Sequence, residues 1–471
     1  MAAPSGLEDM VLLGTKPARL YIEPAASAPD RADYYALRRA VFVDEQGLFD
    51  HDDRDWHDDD PRGVVLLARG RDGSLLGGVR LGPAVQGPDV GWWLGGRLAV
   101  DGRHRTGPGV GAALVRAACA YAESAGALRF EATVQAANEA FFARLGWLRV
   151  RPVGVAGHPH VLMRWPIGRI AALAAATKRP LGGLLDGLLP RDRFLGDDGV
   201  PVPGSDVIAA CDAIVPSLVE RDPEWAGWCG VLVNVNDLAA MGAEPVGLLD
   251  AVAARDASAA ARIVAGLRAA SHAYGVPVLG GHTQLGVPAA LTVTALGRTA
   301  TPVPASGGRP GHAVSLSVDL GGGWRPGYTG RQWDSTTHRS SAQLQALTGL
   351  VARNAPAAAK DVSMAGVVGT LGMLAESSGC GAVLDVAAVP RPDAVPVGDW
   401  LTCFPGFAMV TTDRPGRPIT DCGPATTAAC GELTAGAGVA LRWPDGELTE
   451  AITAGVTGLG AASPRHEESP S

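Results

Sequence analysis

Residues Asn234–Pro245 read NVNDLAAMGAEP. An Asn-x-Asn-Asp run opens a short apolar stretch, Leu238–Met241, that stops at Gly242 and a proline. Asp237 stands where a helix N-cap would, and Gly242 where a helix would end. A capping aspartate accounts for this segment taken alone. Working outward, acidic and glycine-rich pieces recur on both sides of it. Upstream lie LGDDG (Leu195–Gly199) and the pair Cys211-Asp212; downstream lie LGGHT (Leu279–Thr283) and KDVSMAGVVGTLGMLAESSGCGA (Lys360–Ala382).

Taken in that order these pieces resemble the aminoimidazole ribonucleotide synthetase superfamily, and the resemblance implies ATP bound through carboxylates and metal ions rather than through a lysine-bearing phosphate loop. A triphosphate must have its charge neutralised, and hard Mg²⁺ takes oxygen ligands from a few carboxylates. Asp197, Asp198, Asp212 and Asp237 are the candidate metal ligands, and Asp361 a candidate catalytic carboxylate. Asn236 can hold a phosphate or a water. A turn at Gly280-Gly281, continued by His282 and Thr283, would let backbone amides reach phosphate oxygens. Strands are expected near Val207–Ile214, Val246–Val252, Val276–Leu279 and Ala290–Arg298, with helices near Glu224–Met241 and Ala257–Tyr274.

The chain has 471 residues, enough for two or three domains, and 47% hydrophobic with 19% charged residues describes a globular protein. A net charge of −8 argues against a nucleic-acid partner. The apolar segments are broken before membrane-spanning length, and no export signal opens the chain. Seven cysteines without a CxxC pair fit a reducing compartment, so a cytoplasmic protein is expected. Lysine occurs only at positions 16, 178 and 360, which reads as a coding bias toward arginine rather than phosphate recognition.

Towards the N-terminus, Arg19–Glu23 reads as a strand and Asp33–Val43 as a helix. The run Asp50–Asp60 carries seven aspartates with His51 and His57, and reads as a solvated loop rather than a metal site. Two β-rich runs, Gly63–Arg69 and Leu75–Leu81, join at Asp72-Gly73, a hairpin signal. A strand at Trp93–Val100 then gives way to glycines 107, 109 and 111 and a helix, a context in which backbone amides can meet a pyrophosphate. Strand Leu128–Thr133 and the helical Asn138–Trp147 follow. In the C-terminal half, WDSTTHRS (Trp333–Ser340) reads as a polar loop, either plain or in contact with substrate, and Cys403, Cys422 and Cys430 as buried thiols.

The order strand, glycine loop, helix, strand, helix over about residues 20–165 resembles the GNAT acetyltransferases. That resemblance implies acetyl-CoA, with Leu98, Ala99 and Val100 pairing with its pantetheine arm. It also implies that Arg105, Gly107, Gly109 and Gly111 hold the pyrophosphate and that Asn138 belongs to the family's last helix. Two positions depart: Thr106 stands where the loop usually has Arg or Gln, and Phe142 where a tyrosine acid is common. Asp44, Glu45 or Glu131 remain as candidate bases. From about residue 190 to 456, NVNDLAAMGAEP, LGGHT and Asp361-Val-Ser…Gly366 resemble the superfamily of aminoimidazole ribonucleotide synthetase, selenophosphate synthetase, hydrogenase maturation dehydratase and thiamine-monophosphate kinase. It implies ATP and Mg²⁺ and a homodimer paired through the first synthetase-like domain. The reactive Cys and the Lys of selenophosphate synthetase are missing from Gly182–Leu195, and Met364 replaces the kinases' second aspartate, so no member's reaction transfers.

The expected fold is α/β and α+β: a GNAT-like mixed sheet with helices, then a two-domain synthetase-like α+β module. The expected boundaries are 1–165 (acyl-CoA binding), 166–190 (linker), 191–305 (ATP/Mg²⁺ and dimerisation), 306–460 (second synthetase-like domain) and 461–471 (disordered tail). The expected function is a bifunctional enzyme: an acetyl-CoA-dependent N-acyltransferase joined to a module that transfers phosphoryl groups from ATP to a small metabolite. Its rivals are an acetyltransferase with a structural C-terminal module, and a CoA and nucleotide sensor without turnover.

Overall fold

The computed structural model of the protein describes residues 20–105 and 109–463. It divides into two compact units, Met1–Ile167 with Pro396–Gly398, and Gly168–Val395 with Asp399–Ser471.

The first unit is a seven-stranded mixed sheet. Its strands are β1 (Leu20–Pro24), β2 (Val64–Gly70), β3 (Leu75–Pro83), β4 (Trp92–Val100), β5 (Arg129–Gln135), β6 (Leu148–Val155) and β7 (His158–Trp165), in the order β1-β2-β3-β4-β5-β7-β6. Its helices are α1 (Ala28–Arg39), α2 (Trp56–Asp59), α3 (Val110–Ser124) and α4 (Glu139–Arg144). Helix α3 buries Leu114, Val115, Ala118 and Ala122, the spacing of one helical face. Helix α1 starts five residues before the expected Asp33. Ser27 accepts from the Asp30 amide (3.2 Å) and Asp30 accepts from the Ser27 amide (3.0 Å), a reciprocal cap that fixes the start. The helix then runs into a wider π-helical turn, Ala40–Glu45. Tyr34 is fully buried, and a Cβ on Gly78 would meet its ring at 2.6 Å, so β3 needs glycine there.

Strands β4 and β5 run parallel and pair only through Trp92–Gly95 and Arg129–Ala132. Beyond that point they part. Arg97 takes a positive φ of 54°, and its carbonyl accepts from the Tyr34 hydroxyl at 2.7 Å. The distortion leaves Leu98–Val100 with no ladder to β5.

The acidic run is only in part the solvated loop expected: Asp50, Asp52 and Asp59 are exposed. Asp53 and Asp58 are buried and Asp55 caps α2. Arg38 pairs with Asp53 (2.8 Å) and Asp58 (2.6 Å), Arg80 with Asp55 (2.8 Å) and Asp58 (2.7 Å), and Arg97 with Asp55 (3.0 Å). Three guanidiniums from distant elements neutralise these three carboxylates, which is what permits their burial.

In the second unit, one sheet has the order Val278–Leu285, Glu244–Ala254, Ala290–Arg298, Val207–Ile214, Val200–Pro201. The helix Pro223–Ala240 is buried nearly all round, as a central helix must be. It meets the helix Ala257–Tyr274 backbone to backbone: a Cβ on Gly266 would lie 1.9 Å from the Glu224 carbonyl. Asp237 is not the N-cap of this helix. The apolar run upstream carries the helix back to Asp222, whose side chain accepts from the Trp225 amide, and Asp237 falls in the last turn before Gly242 (φ +67°).

Gly280-Gly281 is not a turn. Val278–Leu285 is a strand paired in parallel with Glu244–Ala254 on one side only, with all eight of its residues exposed. Gly281 faces Asp250, whose carbonyl a Cβ would approach to 2.5 Å, so the glycine serves strand pairing. The second sheet has the order Ala358–Asp361, Ala408–Asp413, Ala313–Val318, Thr426–Thr434, Gly381–Asp385, Val439–Arg442, Leu448–Ile452, with the buried helix Gly366–Ser377 against it. Within WDSTTHRS, Ser335 and Thr336 are fully buried, the Thr336 hydroxyl accepts from Trp228 (3.0 Å), and Arg339 pairs with the buried Asp319 (2.6 Å). Cys403, Cys422 and Cys430 are buried free thiols. Of the expected tail, Ala462 donates to the Ser377 carbonyl (3.0 Å), while 464–471 lie outside the described residues. Among the described residues no helix is long and apolar enough to cross a membrane.

Candidate functional site

Three segments of the second unit converge on one acidic centre. Asp198 comes from the LGDDG loop, Asp237 from the last turn of Pro223–Ala240, and Asp361 from the end of the strand Ala358–Asp361. One carboxylate oxygen from each lies within 4.8 Å of the others. The Asp361 amide donates to Asp198 (2.9 Å), and the buried Lys360 ammonium donates to the Gly196 carbonyl (2.9 Å) and pairs with Asp198.

Burial pushes the carboxyls of Asp237 and Asp361 well above the usual range, and the neighbouring aspartates push them further. Burial also raises Asp212, against the pull of Lys178 and a hydrogen bond with Asp237. Burial pulls the Lys360 ammonium down, but Asp198 and Asp197 outweigh it and hold it above its ordinary value. Lys360, paired with Asp198, and Lys178, which acts without an ion pair among the described residues, are two ammoniums against Asp197, Asp198, Asp212, Asp237 and Asp361. A hard divalent cation fits the excess. Asn236 is buried beside Asp237; its Nδ2 donates to the Gly406 carbonyl (2.8 Å) and its Oδ1 has no partner among the described residues.

Two of the four expected ligands, Asp197 and Asp212, are not among the three converging carboxylates. Asp212 hydrogen-bonds with Asp237 beside them, while one oxygen of Asp197 accepts from the Ala305 amide (3.0 Å) and burial raises its carboxyl to about 7. Asp361, read as catalytic, stands among the metal-competent carboxylates instead. No hydrogen bond or ion pair among the described residues joins Gly280, Gly281, His282 or Thr283 to them. Lys360 was missed. Its signal was rarity: of the three lysines, Lys178 and Lys360 both act on the carboxylates of this centre.

The first unit holds a second candidate site. Where β4 and β5 part, a cavity of about 120 Å³ opens, lined by Leu98, Asn138 and Phe142 among others. Gly109 (φ +77°) opens helix α3 and Gly111 lies in its first turn, while Gly107 and Thr106 fall outside the described residues. Ala99 is fully buried and Val100 half-buried on the reach of β4 that pairs with β3 but not with β5. Arg105 donates to the Val100 carbonyl (3.0 Å) and pairs with Glu45, so the expected pyrophosphate ligand and the expected base engage each other at the surface. Glu131 is not placed to act as a base. It is buried outside the cavity, accepts from Trp92 (3.0 Å) and is paired with Arg129 (3.0 Å) and Arg164 (2.5 Å).

Comparison with known proteins bears on both units. Residues 31–147 match the acetyltransferase (GNAT) family, 196–299 the AIR synthase related protein N-terminal domain, and 311–443 the corresponding C-terminal domain. The chain is 37% identical over 229 residues to an uncharacterized protein of Synechocystis sp., covering 47% of this chain and 70% of that one. It is 33% identical over 152 residues to the thiamine-monophosphate kinase of Methanospirillum hungatei, covering 28% of this chain and 52%, about half, of the kinase. T. maritima PurL complexed with ATP is similar in fold, with a TM-score of 0.50 at 18% identity, covering 64% of this chain and 54% of that one.

Proposed function

The chain belongs to the AIR synthase-related family and carries a GNAT acetyltransferase domain, and from that premise we propose a bifunctional enzyme. Its C-terminal unit transfers a phosphoryl group from ATP, with Mg²⁺, to an oxygen of a small metabolite. Its N-terminal unit transfers an acetyl group from acetyl-CoA to an amine. The observation that carries the first half is the buried excess of carboxylate over ammonium at Asp198, Asp237 and Asp361. The similarity to a thiamine-monophosphate kinase and to PurL complexed with ATP supports it.

Bound there, Mg²⁺ and ATP would supply charge neutralisation and the phosphoryl group. Asp198, Asp237 and Asp361 hold the cation, Lys360 fixes the carboxylate of Asp198, and the open Oδ1 of Asn236 accepts from a water or an acceptor hydroxyl. Such chemistry is mostly positioning and electrostatics, so no nucleophilic side chain is needed. In the N-terminal unit, the edge Leu98–Val100, unpaired toward β5, offers backbone groups to a pantetheine arm, and the start of α3 at Gly109 offers amides to a pyrophosphate.

The same proposal includes a homodimer in the cytoplasm that binds neither nucleic acid nor membrane. The exposed edge strand Val278–Leu285, with Leu279 and Leu285 facing solvent, is the pairing surface a second copy would cover. Light scattering on the full chain at micromolar concentration should give twice the monomer mass; a monomer would remove this part.

The function is tested by thermal stability with ATP–Mg²⁺ and, separately, with acetyl-CoA. A ligand bound only by the folded state adds about 2.7 kcal/mol at a hundredfold excess over its dissociation constant. Stabilisation by both is expected. Stabilisation by acetyl-CoA alone would reduce the C-terminal unit to a scaffold.

A further inference from the structure

The cavity between β4 and β5 raises the question of what accepts a proton there. Among the described residues its only ionisable side chains are Arg97 and His160, and no carboxylate lines it. Arg97 is a permanent cation already paired with Asp53 (3.3 Å) and Asp55 (3.0 Å). Glu45 and Glu131 do not line the cavity and are engaged by arginines. His160 is 5% exposed, on β7, and is the one lining side chain with a proton-accepting nitrogen.

The structure also fixes its tautomer. Nδ1 lies 3.0 Å from the His158 carbonyl oxygen, which can only accept, so Nδ1 carries a hydrogen and Nε2 is the accepting nitrogen of the neutral ring. Nε2 has no hydrogen-bond partner among the described residues. His160 lies opposite Gln135 in the β5–β7 ladder, and paired residues share a face of the sheet. Gln135 donates to Gln46 (2.8 Å), just past the π-helical turn, so His160 projects on the side away from α3. On that side Phe42, Leu48 and Phe49 give the cavity an apolar wall.

We propose that His160 is the proton acceptor of acetyl transfer and that the acceptor substrate is a primary amine with an apolar body. The inference rests on the acyltransferase reading of the N-terminal unit. The amine nitrogen attacks the thioester carbonyl and forms the C–N bond, and Nε2 takes a proton from that nitrogen. The C–S bond breaks, and the CoA thiolate leaves and takes up one proton, which balances the one that His160 accepted and returns. Phe142, which has no proton to give, is thereby no obstacle to base catalysis. The apolar wall and the lack of a lining carboxylate select against acceptors that carry a second ammonium.

The test uses the full chain, acetyl-CoA, and phenethylamine and spermidine as acceptor probes, with thiol release as the readout. Wild-type protein should acetylate phenethylamine in preference. His160→Ala should lose roughly 10²–10³-fold in kcat while the KM for acetyl-CoA stays within about twofold, and added imidazole should restore part of the loss. His160→Gln keeps a polar side chain of similar reach; it should be as slow, and it keeps the test alive if the alanine variant does not fold. Variants that turn over within about threefold of wild type would overturn the role of His160, as would a loss that imidazole does not restore in a folded His160→Ala protein. A preference for spermidine would overturn the acceptor class. Wild-type protein that neither binds acetyl-CoA nor releases thiol would overturn the acyltransferase reading itself, a different result from turnover that ignores His160.

Discussion

In the N-terminal unit, Asp53, Asp55 and Asp58 meet Arg38, Arg80 and Arg97, so three carboxylates face three guanidiniums. In the C-terminal unit, Asp198, Asp237 and Asp361 lie within 4.8 Å of one another and meet one paired ammonium, Lys360. The first cluster is closed: its charges cancel and its hydrogen bonds tie α1 and α2 to the sheet. The second is left short of positive charge, and burial drives its aspartates toward the protonated form. Closed networks hold a fold, whereas a buried charge deficit has a stability cost that a bound cation offsets.

Removing one partner from each cluster separates the two roles most sharply. Arg38→Met takes one of two arginine partners from each of Asp53 and Asp58, leaving two guanidiniums for three carboxylates, and should cost about 3–5 kcal/mol with or without Mg²⁺, read from the urea midpoint. Lys360→Met should cost less, about 2–4 kcal/mol, because the C-terminal carboxyls can take up protons. Saturating Mg²⁺ should restore part of that loss and none of the first. Equal rescue of both variants, or of neither, would erase the contrast.

Acid should act on the closed cluster with a smaller effect. Burial pushes the Asp55 carboxyl up, but hydrogen bonds from His57 and Arg80 and the charges of Arg80 and Arg97 reverse this and hold it well below the usual range. Asp58 is lowered too, chiefly by Arg38 and Arg80 against its burial. A depressed carboxylate contributes stability above its unfolded value, near pH 4, and loses it as pH falls further. Lowering the pH from 5 to 3 should therefore remove about 1–2 kcal/mol from the N-terminal unit, and Arg80→Met should flatten that dependence. Hydrogen exchange resolved by unit would show it; an N-terminal unit indifferent to pH in this window would contradict it.

Much of the architecture was legible because it is local. The strands Val207–Ile214 and Ala290–Arg298 and the helix Ala257–Tyr274 follow from alternation and helical spacing, and their ends coincide with the expected ones. What was not legible depends on distant partners. Nothing between Asp50 and Asp60 announces that Arg38, Arg80 and Arg97 will meet it, so a neutralised network read as a solvated loop. Gly280 and Gly281 carry the composition of a turn, and only the parallel pairing with Glu244–Ala254 makes them a strand. At the acidic centre the types and order of the aspartates were readable, but not which of Asp197 and Asp198 faces inward. The Ala305 amide decides that from 108 residues away. Lys360 was readable as a rare residue next to an aspartate, and its weight appears only once Asp198 is brought to it.

The most direct measurement is a calorimetric titration of ATP with Mg²⁺ into the wild-type full chain and into Asp237→Asn, with EDTA as the cation-free control. Saturable binding by the wild type that EDTA abolishes, and that Asp237→Asn weakens at least about tenfold, or about 1.4 kcal/mol, is the predicted result. Equal affinity in the two proteins, or binding that ignores EDTA, would show that Asp198, Asp237 and Asp361 are not the cation site.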